Sequence, residues 1–298
     1  MSVTQRRYDV LTDFLATFRF LEETFDHITL NSELLPHYFE YAQYHGMFDH
    51  FMAHRIGLWE DNGAIVAISA YEMKPGIAHL HTRHGYEYLL PELLDWAEQE
   101  ISVIVNDKRK LCVMITDKET NKLNLLNSRG YVQKNRNPRT IFDYKKDFPE
   151  LQLPDGFSII DGTAADTAKL AECYWRGFNH EGPLPGENID GNIKLRLSPG
   201  YNAGLATIVV APNGEYACAL GMYYDKRNKY AYLEPLATAP QYRRLGLATI
   251  ALTEAMKKTK MMGATYCFGG WGEFYPSIGF ETICYAELWE REDLDAEK

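Results

Sequence analysis

The chain has 298 residues, of which 46% are hydrophobic and 24% are charged, and this composition is typical of a soluble protein with about two domains. Its formal net charge of −10 argues against non-specific nucleic-acid binding, because such binding needs a basic surface that displaces counterions. The sequence has no apolar run long enough to span a bilayer and no secretory signal behind its basic N-terminus, so we expect a cytoplasmic protein without membrane or nucleic-acid partners.

The first half of the chain predicts one long helix followed by strands and helices. The long helix covers residues 8–25 and has no counterpart in the second half. Further on, the sequence Asp61-Asn62-Gly63 favours a tight turn between two strands. The predicted elements after the first helix are strands 55–60, 64–72 and 77–82, helix 89–101, strand 110–116 and helix 121–128.

A polar segment near the middle of the chain, residues 146–156, predicts a domain boundary. Pro149, Pro154 and Gly156 interrupt both helices and central strands. We therefore expect one domain over residues 1–148 and a second domain over residues 155–298.

The second half predicts a longer series of elements. Strands that alternate with helices, with several strands joined by short turns, indicate an α/β fold with a mixed sheet. The predicted order is strand 157–160, helix 163–178, a helix near 191–197, strands 206–211, 217–224 and 229–237, helix 247–261, strand 265–268, helix 273–277 and strand 281–289.

The two halves carry a similar signature after a predicted helix. Gly130 is followed by Tyr131 in the first half, and Gly279 is followed by Phe280 in the second. The two glycines lie 149 positions apart, which is half the chain length. Together with the similar order of elements, this spacing predicts an internal duplication.

The segment between the strand at 229–237 and the helix at 247–261 carries the strongest indication of chemistry. After Pro240 it reads Arg243-Arg244-Leu245-Gly246-Leu247-Ala248. Small residues at 246 and 248 allow close approach to the backbone, and the unpaired N–H groups at the start of a helix form an anion site. A pyrophosphate is the expected ligand, although neither the P-loop motif nor the dinucleotide-binding motif occurs here.

This segment resembles the GNAT superfamily of acyl-CoA-dependent N-acetyltransferases, whose phosphate loop reads Gln/Arg-x-x-Gly-x-Gly/Ala after a strand and a proline. Residues 238–248 follow that pattern. A second family motif, Tyr-x-x-x-Gly-Phe, matches the stretch from Tyr275 to Phe280. Both motifs occur in order, and the resemblance implies two tandem GNAT-like acyl-CoA N-acyltransferase domains, covering 157–298 well and 50–145 only in architecture.

The resemblance implies that acetyl-CoA is the cosubstrate. Backbone N–H groups of the loop would hold its pyrophosphate, and the end of the preceding strand would pair with the pantetheine arm and present an N–H to the thioester oxygen. The cofactor-binding residues implied are Leu236, Ala237, Thr238, Arg243, Arg244, Leu245, Gly246, Leu247, Ala248 and Thr249.

The resemblance places Tyr275 where the family has its general acid. Proton transfer from a phenol with a pKa near ~10 to a thiol near ~8.5 is uphill by ~2 kcal/mol. We therefore expect Tyr275 to act as much by hydrogen bonding to the departing thiolate as by acid catalysis. An alkyl amine with a pKa near ~10.4 needs a proton acceptor at neutral pH, and Glu234 is the candidate base; a surface or salt-bridged carboxylate is the alternative interpretation.

The loop after the first helix of the second half is the candidate amine-binding region. It carries Trp175, Phe178, His180 and Glu181, and in this fold class it borders the acceptor cleft. A role in helix capping and packing is an equally good interpretation of these side chains.

Metal and thiol chemistry are not expected. His79, His81 and His84 have no cysteine or close carboxylate to complete a site, so we predict no metal. The five cysteines are scattered without a Cys-x-x-Cys pair, and Cys267 and Cys284 have no histidine nearby in sequence that would activate a nucleophile.

The first half has lost the residues that the phosphate loop needs. Tyr86 and Tyr88 crowd the corresponding backbone, Glu87 would repel a phosphate, and Leu126 stands where the second half has Tyr275. We predict a degenerate domain that binds no CoA and that covers or shapes the second site.

The primary functional hypothesis is an N-acetyltransferase that moves an acetyl group from acetyl-CoA to a primary amine of a small molecule, by direct attack in a ternary complex. Two alternatives stay open: a non-catalytic acyl-CoA sensor, and an acetyltransferase that acts on a protein or peptide amine.

Overall fold

The computed structural model describes residues 3–294, which divide into two compact units. The first unit comprises the described residues up to Gln43, Met47–Pro138 and the described residues from Ile283 onward. The second unit comprises Tyr44–Gly46 and Arg139–Thr282. Among residues 3–294, no helix combines the length and the apolar composition needed to cross a membrane.

The first unit is a mixed sheet with helices. Helix α1 begins at Asp9, whose carboxylate accepts hydrogen bonds from the N–H groups of Leu11 and Thr12. The elements in chain order are β1 (Thr4–Arg7), α1 (Val10–Glu23), α2 (Pro36–Tyr44), β2 (Gly57–Asp61), β3 (Ala64–Ala70), β4 (Ile77–Thr82), α3 (Leu90–Trp96), β5 (Val103–Val105), β6 (Lys108–Thr116), α4 (Thr120–Ser128) and the first part of β7 (Val132–Asp143).

The second unit repeats this plan. Its elements, after the last part of β7, are β8 (Ser158–Asp161), α5 (Thr167–Gly177), α6 (Gly186–Arg196), β9 (Thr207–Val210), β10 (Tyr216–Asp225), β11 (Tyr230–Thr238), α7 (Leu247–Met262), β12 (Tyr266–Gly269), α8 (Phe274–Ser277) and the start of β13 (Glu281–Glu292).

Each sheet places one parallel pair at its centre. In the first unit the order is β1-β2-β3-β4-β6-β13, and β4 and β6 are parallel. In the second unit the order is β7-β12-β11-β10-β9-β8, and β11 and β12 are parallel. Helix α7 covers one face of the second sheet, where Leu247, Ala251 and Met256 are buried, and α5 covers the other through Leu170 and Cys173.

The last strand of each half lies beside a strand of the other half of the chain. β7 passes from the first unit to the second between Pro138 and Arg139, and its end pairs with β12. β13 passes back between Thr282 and Ile283 and pairs with β6. The compact units therefore divide the chain differently from the ranges 1–148 and 155–298, and the role assigned to each half stays a prediction.

The α/β class and the mixed sheet are confirmed, and most predicted elements lie within a few residues of their predicted positions. The elements that the sequence interpretation missed are α2, β1, β5 and β7. β7 was missed because its burial pattern does not alternate: residues 132–136 are exposed, and only its later residues are partly or fully buried.

Candidate active site

Strand β11 has an open edge at its C-terminal end. It pairs with β12 only over residues 230–232, whereas its pairing with β10 continues to Thr238. The N–H of Ala239 donates to the carbonyl of Ala217 (2.9 Å). Because bonded pairs alternate in an antiparallel ladder, Leu236 and Thr238 direct their backbone groups away from β10, toward the open edge. Both residues therefore present backbone groups along the open edge.

The pairing of β10 and β11 is irregular just before this edge. The pairing register between β10 and β11 shifts between Leu220 and Met222, and the Glu234–Pro235 peptide bond is cis. A Cβ on Gly221 would lie 2.3 Å from the carbonyl oxygen of Glu234, so only glycine fits here.

The loop before α7 presents a row of backbone N–H groups. Arg244 and Gly246 have φ values of 64° and 76°, and the first helical hydrogen bond runs from the N–H of Ile250 to the carbonyl of Gly246 (3.0 Å). Within residues 3–294 no hydrogen-bond acceptor faces the N–H groups of residues 244–249, and no side chain caps the helix. Backbone N–H groups that converge in such a left-handed turn form an anion-binding concavity.

Apolar side chains flank this concavity. A Cβ on Gly246 would lie 2.9 Å from Cδ1 of Leu151, so Leu151 rests against the loop backbone. Leu151 and Leu245 are both exposed, whereas Leu247 is buried under the sheet. The segment predicted as a boundary, residues 146–156, therefore contributes a wall to the loop.

The side chain of Arg243 points away from the concavity. Its Nε donates to the carbonyl of Thr238 (3.2 Å), and one terminal nitrogen donates to the carbonyl of Gly177 (2.9 Å) and to Oδ1 of Asn179 (2.7 Å). The side chain of Arg244 is exposed and forms no hydrogen bond or ion pair within residues 3–294, so of the two arginines it is the one free to meet an anion at this loop.

Tyr275 lies over the end of β12. A Cβ on Gly270 would lie 2.9 Å from its phenol oxygen, and its ring packs edge-on against Phe280 with centroids 5.3 Å apart. Burial raises the pKa of Tyr275 well above its usual value, and the charge of Glu234 raises it further. The phenol therefore keeps its proton at neutral pH and is a hydrogen-bond donor.

The effect of Glu234 on the pKa of Tyr275 shows that the two predicted catalytic side chains lie near each other. Glu234 is half-buried on β11, just beyond the last residue that pairs with β12. Tyr275 reaches the same region from α8, after the end of β12. A carboxylate and a protonated phenol thus lie beside the open edge that begins at Leu233.

The candidate acceptor loop begins at the end of α5. Trp175, in the last turn of α5, stacks on His180 of the loop with centroids 4.3 Å apart, and its indole N–H donates to the carbonyl of Gly182 (3.2 Å). Phe178 and Glu181 are exposed. A Cβ on Gly177 would lie 3.1 Å from the nitrogen of Thr238, which places the loop beside the open edge of β11.

Among the described cysteines none is exposed, and all five carry free thiols. Cys218 lies under the strand end, where the hydroxyl of Thr238 contacts its sulfur (3.3 Å). Burial raises the pKa of this thiol to about 11 and raises the pKa of Cys267 as well. Thiolate nucleophiles are therefore scarce beside the site at neutral pH.

The corresponding loop of the first unit is occupied by its own carboxylate. The side chain of Glu87 accepts a hydrogen bond from the N–H of Gly85 (2.8 Å), and the hydroxyl of Tyr86 donates to Asp61 (2.7 Å). The carboxylate of Glu87 thus occupies a backbone N–H of this loop.

The gap between the parallel strands of the first unit is also filled. β4 pairs with β6 only over residues 77–79, as β11 does with β12. A buried left-handed turn over residues 30–33 lies at this gap. The hydroxyl of Ser32 donates to the carbonyl of Leu80 (2.9 Å) and also contacts Glu119 and Lys122, which form a buried ion pair (2.6 Å).

The same turn closes the helices α4 and α8. The N–H of Tyr131 donates to the carbonyl of Leu126 (3.0 Å), and the N–H of Phe280 donates to that of Tyr275 (3.1 Å). Gly130 and Gly279, which lie between, both have positive φ. Leu126 is therefore the structural counterpart of Tyr275.

The histidines considered as metal ligands have other partners. His79 contacts the carbonyl of Ser32 (2.9 Å), His81 contacts the hydroxyl of Thr24 (2.8 Å), and His84 lies beside Glu87 (3.1 Å). Within residues 3–294 no three His, Cys, Asp or Glu side chains converge in a metal-binding arrangement.

Sequence reasoning missed Gly177, Asn179, Gly221 and Leu151. Gly177, the last residue of α5, was a visible signal, since glycine marks helix ends and close contacts. The contact of Leu151 with the loop had no local signal, because it depends on how residues 146–156 cross α7.

Comparison with known proteins agrees with this architecture. Residues 169–270 match the model of the Acetyltransferase (GNAT) family. A search of curated proteins finds no significant match.

Solved structures share the fold over nearly the whole chain. A GCN5-related N-acetyltransferase from Sphaerobacter thermophilus aligns with a TM-score of 0.61 and 14% identity, over 97% of this chain and 95% of the other. A tandem GNAT protein from the clavulanic acid biosynthesis pathway aligns with a TM-score of 0.62 and 11% identity, over 98% and 99%. N-myristoyltransferase from Saccharomyces cerevisiae, with bound myristoyl-CoA, aligns with a TM-score of 0.57 and 12% identity, over 97% and 79%.

The family match and the shared architecture lead to one assignment. Residues 169–270 are similar to the GNAT acetyltransferase family, and the chain shares the fold of a tandem GNAT protein.

Proposed function

We propose that this protein is an N-acetyltransferase that binds acetyl-CoA in the second unit and transfers the acetyl group to a primary amine of a small molecule. The observation that carries the proposal is the continuity of three features: the N–H groups of residues 244–249, the open edge at Leu236–Thr238, and the pair of Tyr275 and Glu234. A diphosphate, an extended amide arm and a thioester occur in the same order along acetyl-CoA.

Acetyl-CoA would be held by backbone N–H groups of the protein and by one positively charged side chain. The N–H groups at the start of α7 bind the pyrophosphate, with Arg244 adding positive charge. Leu236 offers its N–H and its carbonyl to the pantetheine amides, and Thr238 offers its N–H, since its carbonyl is bonded to Arg243. A backbone N–H at this edge also stabilises the oxyanion that forms as the amine attacks.

Two side chains would handle the protons. Glu234 accepts a proton from the amine as the new C–N bond forms, directly or through water. As the C–S bond breaks, Tyr275 donates a hydrogen bond to the departing thiolate. Its raised pKa makes complete proton transfer less favourable than for an ordinary phenol, so its contribution is a hydrogen bond that strengthens in the transition state.

The buried cysteines support direct attack over an acyl-enzyme. Cys218 is the thiol that touches the strand end, and a pKa of about 11 leaves a thiolate fraction of ~10⁻⁴ at pH 7. Binding of CoA by the second unit alone is supported by Glu87, by the turn at Ser32 and by Leu126, which each remove one part of the site from the first unit.

The test is a thiol-release assay with acetyl-CoA and a panel of small primary amines, alongside a panel of peptides with free N-termini and lysines. We expect turnover with one or more small amines, and calorimetric binding of CoA without any acceptor. Binding of CoA with no thiol release across both panels would instead identify a sensor, and turnover confined to peptides would correct the acceptor class.

A further inference from the structure

The guanidinium of Arg243 connects the cofactor strand to the acceptor loop. It bonds the carbonyl of Thr238 on β11, the carbonyl of Gly177 at the end of α5 and the side chain of Asn179 in the loop. Three acceptors on one guanidinium fix its plane, and two of them belong to the segment that carries the candidate acceptor residues. A side chain in this arrangement is turned away from an anion at the start of α7.

Asn179 is built into the same junction. Its φ of 61° is left-handed, and it closes α5 in a Schellman turn, with the N–H of His180 donating to the carbonyl of Trp175 (3.1 Å) and its own N–H to that of Arg176 (2.9 Å). Glycine is the usual residue at this position. Asparagine adds what glycine lacks, a side-chain oxygen that accepts from Arg243 (2.7 Å).

The backbone contact beneath this bond is tight. A Cβ on Gly177 would lie 2.6 Å from Cβ of Ala237 and 3.1 Å from the nitrogen of Thr238. The end of α5 therefore rests directly on the backbone that would bind pantetheine, and Arg243 holds the two together from the loop side.

We propose that Arg243 is a positioning residue that latches the acceptor loop, residues 178–182, to the thioester end of β11, and that it does not bind the pyrophosphate. This inference rests on the proposed function for its catalytic consequence, but the latch itself exists without ligand. Arg244, its neighbour, supplies the charge for the phosphate.

The experiment compares Arg243→Ala with Arg244→Ala in the full chain. For Arg243→Ala we expect amide hydrogen exchange in residues 177–182 to rise about tenfold, while the Kd for CoA changes less than about threefold. For Arg244→Ala we expect unchanged exchange and a Kd raised about fivefold or more, with the effect reduced by salt. A Kd raised as much by Arg243→Ala as by Arg244→Ala would overturn the latch.

Two further variants test the partner and the chemistry. Asn179→Gly keeps the left-handed turn but removes the acceptor oxygen, so it should raise exchange as Arg243→Ala does, and the double variant should add little. Arg243→Lys should restore part of the protection. A double variant whose effect is the sum of the two single effects would show that Arg243 and Asn179 act separately and would contradict the latch.

A comparison of two acetyl donors distinguishes a positioning role of Arg243 from phosphate binding during turnover. With a panel amine that the wild type accepts, Arg243→Ala should lower the rate by the same factor for acetyl-CoA and for acetyl-pantetheine, which has no pyrophosphate. A loss seen only with acetyl-CoA would overturn the latch. If wild-type protein binds no CoA, the proposed function fails, whereas the exchange data still decide on the latch.

Discussion

At the scale of single residues, Tyr275 is the side chain on which the chemistry depends most. Its ring packs on Phe280 and over Gly270, so Tyr275→Phe keeps the packing and removes only the hydroxyl. We expect kcat to fall by ~10²–10³, which is typical for loss of a donor that acts in the transition state, with the Kd for CoA unchanged. Steady-state kinetics and calorimetry measure the two quantities.

The pH profile and a control make this prediction specific. Because burial and Glu234 hold the pKa of Tyr275 above its usual value, the phenol stays protonated and its ionisation should cause no loss of rate below about pH 10. Tyr224→Phe, near Gly263 at the opposite end of α7, should leave kcat within about twofold. An unchanged kcat in Tyr275→Phe would remove Tyr275 from the mechanism.

Glu234 is predicted to act as the base, and pH tests it. Without a base, Glu234→Gln must rely on the small fraction of free amine, so its rate should rise close to tenfold per pH unit between pH 7 and 9, toward that of the wild type. Loss of the negative charge should also lower the pKa of Tyr275, which absorbance titration of tyrosinate measures. If the ratio of mutant to wild-type rate stays constant over this range, Glu234 does not accept the proton.

At the scale of elements, the N-terminal end of α7 is the predicted cofactor site. Its C-terminal end offers a matched control. Gly246 and Gly263 flank the helix with φ values of 76° and 105°. Either glycine changed to alanine should cost about 1 kcal/mol of stability, because L residues are strained there. Only Gly246→Ala should also weaken CoA binding, by about tenfold or more, because it disturbs the N–H groups of the loop and displaces Leu151. Equal Kd values for the two variants in calorimetry would contradict an anion site at this loop.

The sequence predicted the elements whose signals are local. The helix α7 lay between Gly246 and Gly263, and β11 with its neighbours showed short β-rich runs, so these were placed within a few residues. β7 and the exchange of final strands could not be predicted, since pairing partners depend on tertiary contacts and carry no periodicity of their own.

The candidate site was predictable in part for the same reason. The N–H row followed from the glycine loop before a helix, and Tyr275 from its motif. The side chain of Arg243 did not follow, because a positive charge beside an anion loop suggests phosphate binding until its three acceptors are seen. The filling of the gap between β4 and β6 could not be predicted from the sequence either, since residues 30–33 lie far in sequence from Leu80 and Lys122.

At the scale of the whole molecule, buried phenols predict sensitivity to alkali. In an unfolded chain the pKa of tyrosine is ~10. Burial raises the pKa above this value for Tyr71, Tyr131, Tyr144, Tyr266 and Tyr275. Above that pH the unfolded chain binds fewer protons than the folded one, so stability falls as pH rises, by about 1.4 kcal/mol per pH unit for each tyrosine.

Urea unfolding between pH 8 and 11 measures this loss, and Tyr71→Phe is its matched variant. The hydroxyl of Tyr71 is buried and has no hydrogen-bond partner within residues 3–294, so its removal should leave stability at pH 8 within about 1 kcal/mol. The variant should lose stability less steeply above pH 10. Identical slopes for both proteins would show that Tyr71 ionises as readily in the folded state as in the unfolded one.

The duplication raises the question of how many CoA molecules one chain binds, and we predict one. In the first unit the loop N–H of Gly85 is already bonded to Glu87, and the gap beside Leu80 holds Ser32 with the ion pair of Glu119 and Lys122. Opening that gap would expose or separate buried charges, and breaking such a pair costs about 3–5 kcal/mol.

Calorimetry should give a stoichiometry near one for the wild type and no binding for Gly246→Glu, because the second unit carries the only complete set of N–H groups among the described residues. Lys122→Met should lower the unfolding temperature but leave the stoichiometry at one. A second CoA per chain, or binding that survives Gly246→Glu, would mean that the first unit opens, and that its buried turn is a movable plug instead of a fixed part of the fold.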